Sequence, residues 1–99
     1  MPAKDIYHNN VRTALEKDGW TITKDPLPLK IGGRSLFVDL GAEKIFAAEK
    51  QGRKIAVEVK SFLAASPVHD LEEALGQYIV YEDILEVSEP ERNIYLAVR

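Results

Sequence analysis

Apolar residues Tyr7, Val11, Ala14 and Leu15 recur at i, i+4, i+7 and i+8, the spacing of one helical face, with Asp5 ahead of them as a cap. Gly19 is the expected stop. Trp20-Thr21-Ile22-Thr23 alternates large apolar residues with threonine, as a half-buried strand does, until Pro26 and Pro28 interrupt it. The Gly32-Gly33 pair between Leu29-Lys30-Ile31 and Arg34-Ser35-Leu36 fits a two-residue hairpin turn. A strand region follows from Leu36 to about Lys50 with a break at Gly41, and Gln51-Gly52 turns the chain into a strand over Ile55 to Ser61. Ser66 before Pro67 marks a helix start, and Val68, Leu71, Leu75, Tyr78 and Ile79 are its expected buried stripe. After the loop Ser88-Glu89-Pro90-Glu91, a last strand covers Asn93 to Val98, Ile94, Leu96 and Val98 alternating with Tyr95 and Ala97. The order is helix, several strands, helix, strand, with no repeat and no interdomain linker.

With 99 residues, 45% hydrophobic and 29% charged, residues 1–99 fit one compact α/β (α+β) domain. So short a chain leaves much surface exposed, and a homodimer is a natural way to bury more of it. The absence of cysteine excludes disulfides and thiolate metal sites. The apolar runs are too short to span a bilayer and the N-terminus is polar, so the expectation is a cytoplasmic chain with no membrane partner. A net charge of −3 argues against non-specific nucleic-acid binding, which rests on clustered Lys and Arg. Any contact with DNA must be local, metal-assisted or supplied by a partner.

The candidate chemistry lies in Glu58-Val59-Lys60 and in Asp39 of Leu36-Phe37-Val38-Asp39-Leu40. Period-two alternation sends Ile55, Val57 and Val59 to one side of their strand and Ala56, Glu58 and Lys60 to the other, with Glu58 and Lys60 about 7 Å apart. Asp39, Glu58 and the Val59 carbonyl offer the hard oxygen ligands that Mg²⁺ or Mn²⁺ prefers. Lys60 stands where it can orient or deprotonate a metal-bound water, or balance charge on a phosphate. A Glu-x-Lys pair alone is most often a solvated ion pair. Carboxylates set among apolar neighbours, by contrast, are costly without a partner.

Asp39, Glu58-Val59-Lys60 and Gln77-Tyr78-Ile79-Val80-Tyr81 together resemble the PD-(D/E)XK nuclease-like pattern with its Gln-xxx-Tyr element. More closely, Ala3-Lys4-Asp5, Asp18-Gly19-Trp20 through Leu27, Phe37-Val38-Asp39-Leu40-Gly41-Ala42-Glu43, Ala47-Ala48-Glu49-Lys50 and Ile55 through Phe62 resemble the XisH family, the fdxN element excision controlling factors found mainly in cyanobacteria. The resemblance implies a restriction-endonuclease-like αβββαβ core, a central mixed sheet flanked by helices. It also implies a role in controlling site-specific excision of a DNA element, beside a XisI-type companion protein and a recombinase. Asp39, Glu58, Lys60, Gln77 and Tyr81 then form the catalytic set. A catalytically silent DNA-binding or protein-interaction module is the alternative. Family members run on for several tens of residues, so a further C-terminal segment is expected to complete the last strand and a dimer contact.

Register bears on the metal site. A two-residue Gln51-Gly52 turn pairs Lys50 with Arg53, hence Glu58 with Ile45 and Lys60 with Glu43, leaving Asp39 on the order of 20 Å from Glu58's partner. A shared site then requires a bulge or bend at Gly41-Ala42-Glu43, or a looser turn. Glu43 is the rival acid in that register, or a salt-bridge partner of Lys60. Gln77 and Tyr81, four apart, share a helical face; alternatively Tyr81 belongs to the core and Gln77 is solvated. His8, Arg12 and Glu16 align along the first helix, where His8 and Glu16 are either cleft residues or, the plainer reading, a solvated face. His69 has no neighbour at metal-ligand spacing and reads as structural.

Overall fold

The computed structural model describes residues 5–45, 52–61 and 67–98. Helix α1 (His8–Lys17) leads into β1 (Thr21–Lys24), β2 (Leu27–Ile31), β3 (Arg34–Val38), β4 (Leu40–Lys44), β5 (Arg53–Lys60), α2 (Pro67–Ser88) and β6 (Arg92–Val98). A four-stranded sheet runs β1-β4-β5-β6, with β5 and β6 parallel and the other pairs antiparallel, and β2-β3 form a separate two-stranded sheet. The parallel pair is joined by α2, the crossover helix that parallel neighbours require.

Alternation along β5 divides the core as the sequence predicts. Ala56 joins Leu27, Leu29, Val38, Tyr81, Leu85 and Ile94 in a cluster beneath α2. Ile55, Val57 and Val59 join Leu40 and Ala42 on the other face, where Tyr7, Val11 and Leu15 of α1 pack. The predicted start of α1 holds in a shifted form: the Asp5 carboxylate accepts the Tyr7 N–H at 3.0 Å, one turn ahead of the first helical residue. Gly19, at φ +92°, ends that helix. The predicted hairpin is also present, Ile31 opposite Arg34, and Gly32 alone carries a positive φ, +58°, as a type II′ turn needs.

Three expectations need correction. Pro28 does not interrupt a strand; it sits inside β2, opposite Phe37, tolerated because a two-stranded ribbon has free edges. The break in the long strand falls at Asp39, not at Gly41, which lies within β4. The buried stripe of α2 is a different one. Val68, Leu71, Leu75 and Ile79 are exposed, while Asp70, Ala74, Tyr81 and Leu85 are buried and Tyr78 is half-buried. Asp70 to Leu85 follow the i, i+4, i+11, i+15 spacing of one face just as well, and the polar Asp70 within it disguises that face in the sequence. Ser66, Gln51 and residues 46–50 of the predicted strand lie outside the described residues.

Candidate functional site

The strand break and the β4-β5 register decide the site. Lys44 stands opposite Arg53 and Leu40 opposite Val57, which carries Asp39 to the level of Glu58. The register drawn from a two-residue turn at Gln51-Gly52 is therefore wrong, and neither a bulge at Gly41 nor Glu43 is needed to bring Asp39 to Glu58. Gly52 is explained by space. A Cβ there would lie 2.7 Å from the Lys44 carbonyl oxygen, closer than side chains come.

Where β3 ends and β4 begins, the Glu58 and Asp39 carboxylates accept crossed hydrogen bonds from backbone amides. The Asp39 N–H donates to Glu58 Oε1 at 3.2 Å, and the Val59 N–H donates to Asp39 Oδ2 at 2.7 Å. Each carboxylate thus takes up an amide that the interrupted ladder leaves over. Glu58 is only 7% exposed, a carboxylate among the buried apolar residues Ile55, Ala56, Val57 and Val59 of its strand.

Burial is the main force on Glu58, and hydrogen bonding and charge repulsion from the Asp39 carboxylate add to it. Together they push its pKa up to about 9, against smaller downward pulls from the Asp39 N–H and Tyr81. Glu58 is therefore expected to hold a proton at neutral pH, beside the Asp39 carboxylate. Tyr81, on the buried face of α2, closes the site from above: its hydroxyl donates to the Phe37 carbonyl at 3.2 Å and also engages Glu58. Burial first, then the Glu58 and Asp39 charges, push the Tyr81 pKa up to about 12, so it stays protonated.

Lys60, half-buried at the end of β5, is on the side of Glu58 by strand alternation. The next residue anchors that strand end. Ser61 donates both its N–H and its hydroxyl to Asp5 Oδ2, each at 2.8 Å. Burial works to raise the Asp5 pKa, but it is outweighed by the Tyr7 and Ser61 hydrogen bonds and the Lys60 charge, and the net result is a lowered value. The Asp5–Ser61 link escaped sequence reading, because nothing in the pattern connects residues so far apart.

The other candidates are placed as follows. Gln77 is exposed, one turn before Tyr81 on α2. Glu43 pairs with Lys54 at 3.9 Å, not with Lys60. His8 is not a solvated residue: it is buried, with Nε2 2.8 Å from Asp25 Oδ1, while Arg12 reaches the other oxygen of Asp25. Asp25 is the residue that the sequence reading passed over. Glu16 lies near Arg12 at 3.7 Å on the exposed side of α1, and His69 is exposed beside Glu73 at 3.9 Å. Among the described residues no group of three or more His, Asp or Glu converges. No helix among them is long and apolar enough to cross a membrane.

A family model described as XisH protein matches residues 1–99. The crystal structure of an XisH family protein from Nostoc punctiforme is similar with a TM-score of 0.82 at 48% identity, covering 95% of this chain and 69% of that one. A fdxN element excision controlling factor protein from Anabaena variabilis is similar with a TM-score of 0.80 at 49% identity, covering 96% and 69% respectively. No curated protein matches.

Proposed function

Because the chain belongs to the XisH family, we propose that it acts as an excision controlling factor whose core is of the PD-(D/E)XK nuclease-like kind, hydrolysing a DNA phosphodiester with Mg²⁺ or Mn²⁺. The observation that carries this reading is the meeting of Asp39 and Glu58 across the broken strand, one carboxylate buried against another. Such a pair is costly unless a proton or a cation lies between its oxygens. The donors suit a hard divalent ion: Asp39, Glu58 and the Val59 carbonyl would hold it. When bound, such an ion supplies Lewis acidity and a water of lowered pKa.

The chain's own side chains do the rest. Lys60 provides positive charge at the strand end for the phosphate, or accepts a proton from the water. Tyr81 fixes the orientation of Glu58 through its hydroxyl, and Gln77, exposed one turn away, would contact the DNA backbone. A XisI-type companion and a recombinase would be its partners, with a homodimer as the working unit.

A second reading, a silent DNA-binding or interaction module, is favoured by one feature. The two carboxylates already satisfy backbone amides and each other, so the pair can serve as fold support. Incubation with supercoiled plasmid and Mn²⁺ separates the two. Relaxed circles should form with the wild-type chain, and Glu58→Ala or Lys60→Ala should lower that rate by roughly 100-fold or more, the usual cost of losing one charge-stabilising group. Equal cutting by all three proteins would remove the site from consideration; no cutting by any, with the companion present, would favour the silent module.

A further inference from the structure

The outer face of α2 carries an apolar stripe that the other described residues leave exposed. Val68, Leu71, Leu75 and Ile79 are 66%, 42%, 44% and 55% exposed. Their spacing of three, four and four residues places them on one line, about 17 Å long at the rise of a helix. Single exposed apolar residues need no explanation, but four aligned ones on one helix face mark an interaction surface.

The charges around the stripe decide what covers it. α2 contains no lysine or arginine, and exposed Glu72 flanks the stripe while exposed Glu82, Asp83 and Glu86 continue it along the helix. The stripe is therefore apolar over the first three turns, and Glu82, Asp83 and Glu86 make its continuation over the last two turns acidic, beside exposed Val87. A second copy fits it poorly: in a parallel pair acid would face acid, and in a fully overlapped antiparallel pair the apolar half of each helix would face the acidic half of the other. DNA is repelled by the same carboxylates.

We propose that this face docks an amphipathic helix of a partner protein, apolar over about three turns and rich in Lys and Arg where it meets Glu82, Asp83 and Glu86. The mode is helix against helix, with side chains three and four apart as anchors and the charges setting direction. Its position on the side of α2 away from Tyr81 leaves the Asp39–Glu58 pair clear, so the surface does not depend on that pair being catalytic.

The test uses the full 99-residue chain and a fluorescent 18-residue synthetic peptide with leucines along one helical face and lysines elsewhere, followed by anisotropy. The expected result is saturable binding that weakens about tenfold or more for the Leu75→Ser/Ile79→Ser double variant, and likewise for a peptide with glutamates in place of the lysines. Both substituted residues are exposed, so circular dichroism melts should show the fold retained. Equal binding of the lysine peptide to wild type and variant would reduce the surface to simple charge attraction and overturn the proposal. Absence of binding to either would also overturn it, as would a wild-type dimer in sedimentation that the variant converts to monomer, which would make the occupant a second copy.

Discussion

Glu58→Gln is expected to melt at a higher temperature than the wild-type chain at pH 8, and to lose whatever stabilisation Mn²⁺ gives the wild type. The folded-state pKa of Glu58 is raised from 4.5 to about 9 by burial and by Asp39. Between those values the folded chain holds a proton that the unfolded chain releases. Its contribution to stability is thus complete below pH 4.5 and is lost as pH rises toward 9, by at most about 1.4 kcal/mol per pH unit. In a domain of this size 1 kcal/mol moves Tm by roughly 4–8 °C, so a fall of at least ~5 °C between pH 5 and pH 8 is expected for the wild type.

Glutamine keeps the size and the acceptor for the Asp39 N–H, offers an amide proton to the Asp39 carboxylate, and does not titrate. Its melting curve should stay nearly level over the same range. A cation that binds only the folded wild type adds stability by mass action, about 2.7 kcal/mol at 100 times its Kd, and that shift should vanish in the variant. Thermal melts at pH 5, 6.5 and 8, with and without Mn²⁺, check both parts. Parallel pH slopes for the two proteins would show that Glu58 is not held protonated by its surroundings. If the pair is a functional site, the substitution that stabilises the fold is the one that disables it.

Leu85→Ala should destabilise by about 2–5 kcal/mol, a fall in Tm of roughly 10–30 °C, because it opens a cavity in a packed core. Leu85 is 2% exposed and sits with Tyr81, Ala56 and Ile94 under α2. Leu75→Ala should change stability by no more than ~0.5 kcal/mol, since a half-open surface position loses little contact. The contrast reads the rotation of α2 directly. A large loss at Leu75 with a small one at Leu85 would mean that the helix presents its other face to the sheet, and the docking surface would disappear with it.

What the sequence discloses and what it hides both have physical reasons. The elements were legible because their signals are local: a 3.6-residue period at Tyr7, Val11 and Leu15, a glycine pair at the β2-β3 turn, alternation along β5. The Glu58 face was legible for the same reason. Register was not, because Gly52 has a steric role against Lys44 that looks in the sequence like a tight turn, and that reading separated Asp39 from Glu58 by a distance the fold does not have. The rotation of α2 was hidden because hydrophobicity alone favours Val68, Leu71, Leu75 and Ile79, and those residues point outward. The burial of His8 against Asp25 was missed since a buried pair from two elements leaves no periodic trace.

The crossed bonds at the strand break turn two backbone amides into witnesses of the carboxyl pair. The Asp39 N–H ends on Glu58 and the Val59 N–H ends on Asp39. Protonation of the pair, or arrival of a cation, changes the acceptor of each bond, and the ¹⁵N–¹H signals of residues 39 and 59 should move together along one titration curve while amides elsewhere in the sheet stay still. The state of the site can therefore be watched in an unsubstituted chain, with no substrate and no assay of cleavage.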